Sequence, residues 1–335
     1  MRSVFFDLFD RLRHLDILTH FSDEQIDLLA TCTSVVRYAK GAKVISEGHD
    51  SQDIFLIDSG DVEIRRDTPF GHYSFARLKA GEVFGETSFI DGQPRSGDVF
   101  VAEDAVIFQL NALDLARVAE ENPRWALALY WALWKSLSRK LRLTNEVLAD
   151  FFSGARKKAP SQPASEQSEG FRVGLDKKRD LFREQPLSPM EINFLASLSK
   201  EKRFKKEEYL FREGQEGDHL YIVLEGQIRI SKDTAAGEEA LAILYRGDYF
   251  GEMALIDRQP RSADAKAHSD EVVVLMISRE VLEGILDIQK VSSLRLLKLL
   301  CGLIAKRLRE IDHKLVSWYI FDQGSGETLG MPKLF

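Results

Sequence analysis

Phe84-Gly85-Glu86-Thr87-Ser88-Phe89-Ile90-Asp91-Gly92-Gln93-Pro94-Arg95-Ser96 is answered 166 residues later by Phe250-Gly251-Glu252-Met253-Ala254-Leu255-Ile256-Asp257-Arg258-Gln259-Pro260-Arg261-Ser262. The copies share Phe-Gly-Glu, Ile-Asp and Gln-Pro-Arg-Ser in one frame. An extended segment that runs into Phe-Gly-Glu and then a short apolar run predicts a strand ending at the start of a short helix. Such a start offers free backbone N–H groups and a positive dipole end, which suit a phosphate. Glycine allows close backbone approach to a ligand. Arginine adds a planar, permanently charged fork matched to phosphate oxygens. Like charge excludes the glutamate as a phosphate ligand; its natural partner is a hydroxyl donor, and a ribose 2′-OH fits. A lone Gly-Glu with an arginine nine residues on is ordinarily a surface turn. Two in-frame copies, each with Pro-Arg-Ser, argue instead for two sites holding a small anionic sugar phosphate.

The repeat extends outward from these stretches. Gly48, Gly60, Gly71 and Gly81 match Gly214, Gly226, Gly237 and Gly247. Between them lie short β-type runs, such as Asp53-Ile54-Phe55-Leu56-Ile57 before the Ser59-Gly60 turn and the alternating Val62-Glu63-Ile64-Arg65 after it. Many short strands with spaced glycines argue for a closed double-sheet β-roll. Between Val99 and Ala105 the second copy gains one residue, and the offset becomes 167. Beyond that point come two long helical stretches. One carries Leu127, Tyr130, Trp134, Leu137, Leu141, Thr144, Leu148 and Phe151; the other carries Leu294, Leu297, Cys301, Ile304, Leu308, Ile311, Leu315 and Trp318. Steps of alternating three and four form an a/d seam, the pattern of helix pairing. Each helix can also lie on its own barrel.

Both quoted stretches resemble the phosphate-binding cassette of cyclic-nucleotide-binding domains, as in the catabolite activator proteins and the regulatory subunits of cyclic-AMP-dependent kinase. The resemblance covers nearly all of both halves. It implies a mainly β fold with α: two β-roll (double-stranded β-helix, jelly-roll) domains, each followed by a long heptad-patterned helix. It implies Glu86 and Glu252 on the ribose 2′-OH and Arg95 and Arg261 on the cyclic phosphate. Phe84, Gly85 and Thr87 complete the first cassette, and Phe250, Gly251 and Met253 the second. Ser96 and Ser262 match a position that can donate to phosphate or to a purine edge. Phe75 and Leu241 fall on matching strands and are placed against the base. Gly97 replaces the alanine usual after Arg-Ser, which Ala263 keeps, and is expected to loosen the turn.

The segment Arg139-Lys140-Leu141-Arg142-Leu143-Thr144-Asn145-Glu146 is similar to the long dimer helix of catabolite activator proteins. There a hydroxyl residue at the place of Thr144 bonds the adenine amino group, and the next position, here Asn145, reaches the ligand in the partner barrel. Both are assigned to the first site on this basis. Thr144 also lies on the seam, where an unpaired hydroxyl is costly; it can instead bond back to its own helix. At the matching positions stand Ile311 and Asp312. Ile311 cannot hydrogen-bond a purine. Asp312, assigned to the second site, can accept from an adenine amino group or from the N1–H and amino groups of guanine. The long helices can join two chains as a homodimer. Alternatively they can pair within one chain as a pseudo-dimer, which brings Asp312 to the first ligand and Asn145 to the second.

Composition sets the remaining limits. A net charge of −7 over 335 residues speaks against broad nucleic-acid binding. Two distant cysteines, Cys32 and Cys301, make neither a metal motif nor a disulfide framework, which suits a cytoplasmic setting. The early acids of the N-terminus do not fit a secretory signal, and no apolar run reaches a membrane span. Residues Val4 to Leu15 form an amphipathic helix expected to pack on the first domain. Ser22 with Gln25 reads as a capping box, and Ser188-Pro189 as the equivalent start. The expected partition is a first domain over 1–152, a flexible linker over 153–175, a second domain over 176–322 and a mobile tail over 323–335.

These features predict a non-enzymatic receptor for a cyclic nucleotide, with cAMP favoured and cGMP next, in which binding shifts the helices and alters contact with an unidentified protein. No catalytic constellation, metal site or cofactor is expected. A kinase-regulatory-subunit-like inhibitor and a scaffold with vestigial pockets are the alternatives.

Overall fold

The computed structural model describes residues 2–152, 172–184, 189–234, 237–285 and 291–325. Chain contacts divide it into two compact units: residues to Leu137 together with those from Ile288 onward, and Ser138–Asp287. The division does not follow the order of the repeats. The end of the first long helix belongs with the second roll, and the last helix belongs with the first roll.

The first unit starts with α1 (Arg2–Arg13) and α2 (Asp23–Thr31). Leu8 and Leu12 of α1 are buried in one core with Ile26, Leu29, Phe108 and Trp125, so this helix packs on the domain as expected. Arg11 forks onto Asp58 and lies over the Phe108 ring, 5.1 Å from its centroid. The capping box on α2 is formed by Ser22 and Gln25. The roll then follows: β1 (Thr33–Tyr38), β2 (Lys43–Ile45), β3 (Ile54–Thr68), β4 (Gly71–Lys79), β5 (Val83–Phe84), the short helix α3 (Glu86–Asp91) and β6 (Asp98–Leu110). β6 and β3 are its two spines, in the order β1-β6-β3-β4, with β2 on β6 and β5 on β3. All pairings are antiparallel. Side chains alternate between two cores. Ile54, Leu56 and Val83 face the helices, while Phe55, Ile57 and Phe84 face the inside of the roll with Val99 and Ile107. α4 (Ala112–Glu121) and the long α5 (Pro123–Phe152) follow.

In the second unit α6 (Leu175–Arg183) and α7 (Pro189–Leu198) precede the second roll, with Pro189 as the first helical residue. Ser188, most of the expected linker and residues 326–335 lie outside the described residues. The second roll comprises β7 (Lys200–Lys205), β8 (Tyr209–Phe211), β9 (His219–Glu225), β10 (Ile228–Thr234), β11 (Gly237–Leu244), β12 (Tyr249–Phe250), α8 (Glu252–Asp257), β13 (Asp264–Ala267) and β14 (Glu271–Ser278). It forms two four-stranded sheets, β11-β10-β13-β8 and β12-β9-β14-β7. α9 (Arg279–Ile285) follows, and α10 (Leu294–Ser325) closes the described chain.

The one-residue gain has a visible effect. The continuous β6 of the first roll becomes β13 and β14, separated by His268-Ser269-Asp270. At the bend of the opposing strand sit Gly60 and Gly226, with φ of +81° and +79°. A Cβ there would lie 2.3 Å from the Asp104 carbonyl oxygen and 2.4 Å from that of Glu271, so only glycine lets the strands cross.

Most of both seams is buried, with Tyr130, Thr144 and Leu294 half-buried. Leu127, Trp134, Leu137 and Leu141 on α5, and Leu297, Cys301, Ile304, Leu308, Ile311 and Leu315 on α10, are all core residues. In the first unit the Cys301 thiol meets the Tyr130 carbonyl oxygen at 3.5 Å and the Lys298 ammonium lies 5.0 Å from the Tyr130 ring centroid, so the two helices touch within one chain.

Candidate functional site

Each repeat brings its Gly-Glu and its arginine together at the junction of a short strand and a six-residue helix. β5 ends at Phe84, stacked on Phe55 with ring centroids 5.0 Å apart. Gly85 caps α3 in the left-handed region, φ +81°. A Cβ on it would lie 2.7 Å from Arg95 Nη1 and 2.8 Å from the Asp53 carbonyl oxygen, so the position is closed to any side chain. Glu86 and Arg95 are 1 % and 4 % exposed. The guanidinium donates from Nε to the Ser51 hydroxyl (3.1 Å), from Nη1 to the Gly85 carbonyl (2.8 Å) and from Nη2 to the Asp53 carbonyl (2.7 Å). Since a guanidinium carries five N–H bonds, one remains on each terminal nitrogen. Burial pushes the Arg95 pKa down to about 10, with Asp53 and Glu86 acting the other way, so the group stays cationic at neutral pH. A buried cation beside a buried carboxylate, with donors to spare, is the equipment that binds a sugar phosphate.

The second cassette repeats the geometry. Gly251 is left-handed, φ +79°, and its Cβ would fall 2.6 Å from Arg261 Nη1. Phe250 stacks on Tyr221 at 5.2 Å. Glu252 and Arg261 are 6 % and 4 % exposed. Arg261 donates to the Gly251 carbonyl (2.6 Å) and the His219 carbonyl (2.9 Å). Burial again lowers its pKa. The position matching Ser51 is Gly217, where a Cβ would lie 2.5 Å from the Arg261 guanidinium. Arg261 Nε accordingly has no hydrogen-bond partner among the described residues.

The remaining residues singled out in the sequence fall around these cores. Thr87 is half-buried on α3 and Met253 buried on α8. Ser96 lends its carbonyl to Arg66 Nε at 2.6 Å. Phe75 meets Tyr73 edge-on, centroids 5.2 Å apart, and Leu241 is buried on β11. At Gly97 a Cβ would stand 3.2 Å from the Arg65 carbonyl oxygen, so the glycine permits close approach to β3. Thr144 donates to the Lys140 carbonyl at 2.8 Å, the back-bonded alternative, which leaves its oxygen able only to accept.

The helix positions exchange places relative to sequence order. Asn145, assigned to the first site, directs its amide Nδ2 at Ser262 of the second cassette, at 3.5 Å. Asp312, assigned to the second site, belongs to the unit of the first roll. There its charge adds to burial in raising the Tyr73 hydroxyl to about 12. The reason is that α10 packs in the first unit and residues from Ser138 onward in the second.

Sequence reading missed the residues that carry these helix contacts. Arg309 reaches Asp91, Ser88 and the carbonyls of Gln93 and Pro94. Arg142 donates to the Pro260 carbonyl at 3.0 Å. Arg66 contacts Glu47 (3.0 Å) and His313 Nδ1 (3.1 Å). The signal was present: Arg142 and Arg309 match at the 167 offset, as do Glu47-Arg66 and Glu213-Lys232 at 166. Among the described residues no group of three His, Cys, Asp or Glu could hold a metal ion, and no helix is long and apolar enough to cross a membrane.

With this geometry established, the family model of the cyclic nucleotide-binding domain matches residues 35–122 and 201–289. The chain belongs to the cyclic nucleotide-binding domain family and carries two such domains in tandem. It is 23 % identical over 273 residues to the cGMP-dependent protein kinase egl-4 of Caenorhabditis briggsae, covering 81 % of this chain and 30 % of the kinase. It is 23 % identical over 252 residues to the cAMP-dependent protein kinase regulatory subunit of Dictyostelium discoideum, covering 74 % and 64 %. A shorter match, 32 % identical over 130 residues, is to the Cyclic AMP receptor protein of Thermus thermophilus, covering 38 % and 58 %. Among solved structures, the cAMP-bound regulatory domain of Toxoplasma gondii PKA aligns over 95 % of this chain and 98 % of that one, with 17 % identity and a TM-score of 0.33.

Proposed function

We propose that this chain binds cAMP in both cassettes and converts occupancy into a change in how its long helices are held. The observation that carries the reading is the doubled burial of a glutamate and an arginine against one left-handed glycine. The same pair is built twice, from different supporting residues, each with an arginine that keeps N–H groups beyond those its protein partners accept. A cyclic phosphate can accept from the remaining N–H groups of Arg95 or Arg261, and a ribose hydroxyl can donate to Glu86 or Glu252.

Within the family, cGMP is the second reading for the first cassette. Asp312 lies in that unit and can accept from the N1–H and amino groups of guanine. The pairing of the helices within one chain, rather than between two, is supported by the Tyr130–Cys301 contact. The downstream partner is taken to be a protein whose docking surface the helices alter, by the argument that a ligand shifts only an equilibrium in which it prefers one state.

Calorimetric titration of the full chain with cAMP and cGMP separately tests this. The expected result is two molecules of cAMP per chain; failure of both nucleotides to bind overturns the reading.

A further inference from the structure

We propose that Arg309, on the helix that follows the second repeat, is a positioning residue for the first cassette, so that nucleotide affinity there is set from the far end of the chain. The inference rests on the cyclic-nucleotide reading above.

Arg309 holds the segment immediately ahead of Arg95. Its Nη2 donates to Asp91 Oδ1 (3.0 Å) and the Ser88 hydroxyl (3.2 Å), its Nη1 to the Pro94 carbonyl (2.8 Å), and its Nε to Asp91 Oδ2. Gly92, Gln93 and Pro94 are exposed. On its other side Arg95 is pinned by backbone bonds with His49 (3.0 Å) and Gly48 (2.9 Å). Among the described residues the turn over 91–94 is otherwise fixed by local bonds and by one long contact, Gln52 Nε2 to the Gly92 carbonyl at 3.5 Å, so this fork is its main tie to another element. A planar guanidinium spanning a carboxylate and a backbone carbonyl is an arrangement lysine cannot reproduce.

A second observation is independent of the first. In the other unit Arg142, the residue matching Arg309, donates to the carbonyl of Pro260, the residue matching Pro94. Neither arginine lies on the apolar seam, so helix packing alone does not call for them. The same atom of the same turn is held in both cassettes, each time by the helix of the other repeat.

The consequence is thermodynamic. Nucleotide and Arg309 both favour the arrangement in which the turn presents Arg95 inward, so each must strengthen the other's hold, by linkage. The first site thus requires α10 in place, and filling the first site tightens α10.

The test uses the full chain and cAMP. In an Arg261→Ala background the second cassette is weakened and the tighter binding event reports the first, and adding Arg309→Ala is expected to weaken that event roughly tenfold, as expected for charge-assisted bonds, with Arg309→Lys recovering part of the loss. In an Arg95→Ala background the tighter binding event reports the second cassette, and there Arg142→Ala is the substitution that weakens it. Unchanged or tighter binding at the first cassette on Arg309→Ala, or equal loss at both cassettes, overturns the proposal. Hydrogen exchange gives a reading that does not depend on the Arg309 variant folding. In the Arg261→Ala chain cAMP is expected to slow exchange along α10 around Arg309, and no change there overturns the proposal. If the unsubstituted chain binds neither cAMP nor cGMP, the nucleotide reading itself has failed. If it binds and the Arg309 substitution has no effect, only this inference has failed.

Discussion

The first and second cassettes hold the same Glu-Arg pair with different scaffolding. In the first, the Asp53 carboxylate ties the start of β3 to the start of α4, accepting from Gln109 Nε2 (2.7 Å) and the Ala112 amide (2.8 Å). In the second, His219 stands in place of Asp53 and Arg279 in place of Ala112, and Arg279 donates to the carbonyls of Gly217 (2.8 Å) and Ala254 (3.0 Å). An acid secures the binding loop in one copy and a guanidinium does so in the other. Both copies keep the buried Glu-Arg pair and differ in these two supports of the loop before it. The comparison also separates the arginines: Arg95 Nε has Ser51, whereas Arg261 Nε abuts Gly217.

The largest effect that can break this comparison is at the glycines. Gly85→Ala should abolish nucleotide binding at the first cassette and cost about 2 kcal/mol or more of stability, from the left-handed backbone and the clash with Arg95. Gly251→Ala should do the same at the second, read as loss of one binding stoichiometry and a lowered Tm. Retained two-site binding in either variant would mean that the close approach is not needed.

Next come the arginines. Arg95→Ala and Arg261→Ala should each cost their own site about 1.5–3 kcal/mol in affinity, as for a lost charge-assisted contact, and lysine should not restore it. Calorimetry on the two single variants gives the comparison directly.

A smaller effect sharpens the difference at Nε. Ser51→Gly removes one partner of a buried donor and should weaken the first site by about 1 kcal/mol. Gly217→Ser places a Cβ against the Arg261 guanidinium and should also weaken the second site, because the backbone there is too close for the exchange to be reciprocal. Improvement of the second site by Gly217→Ser would sink that explanation.

The smallest effect is a dependence on pH in the first unit. Burial, then Arg66 and Arg309, lower the His313 pKa below its ordinary value of 6.5. Such a group gives its full contribution above the unfolded value and loses it as pH falls through the depressed folded value. His20, lowered by burial and Lys135, acts in the same direction. Melting temperature should therefore fall from pH 7.5 to pH 5.5, and His313→Asn should reduce that fall. An equal fall in the variant assigns the effect to His20 or elsewhere.

Much of this was legible in the chain. The doubled Phe-Gly-Glu and Pro-Arg-Ser located both cassettes, because the contacts that build each one lie within a single repeat. The capping box of Ser22 and Gln25 was equally local, and its two bonds follow from spacing alone. The close approach of Gly97 to the Arg65 carbonyl was not legible, because that neighbour lies on another strand and leaves no mark beside it in sequence. Ser51 and Gly217 went unnoticed for the same reason, since the arginines they touch are more than forty residues away in the chain.

By itself, then, the sequence determined the repeat, the roll and the pair of charged side chains in each cassette, since periodicity and spacing encode local geometry. Tertiary structure alone decided which helix meets which cassette. An a/d seam is satisfied equally by a helix of its own chain or of another, so only packing could bring Arg309 to Asp91 and Asn145 to Ser262.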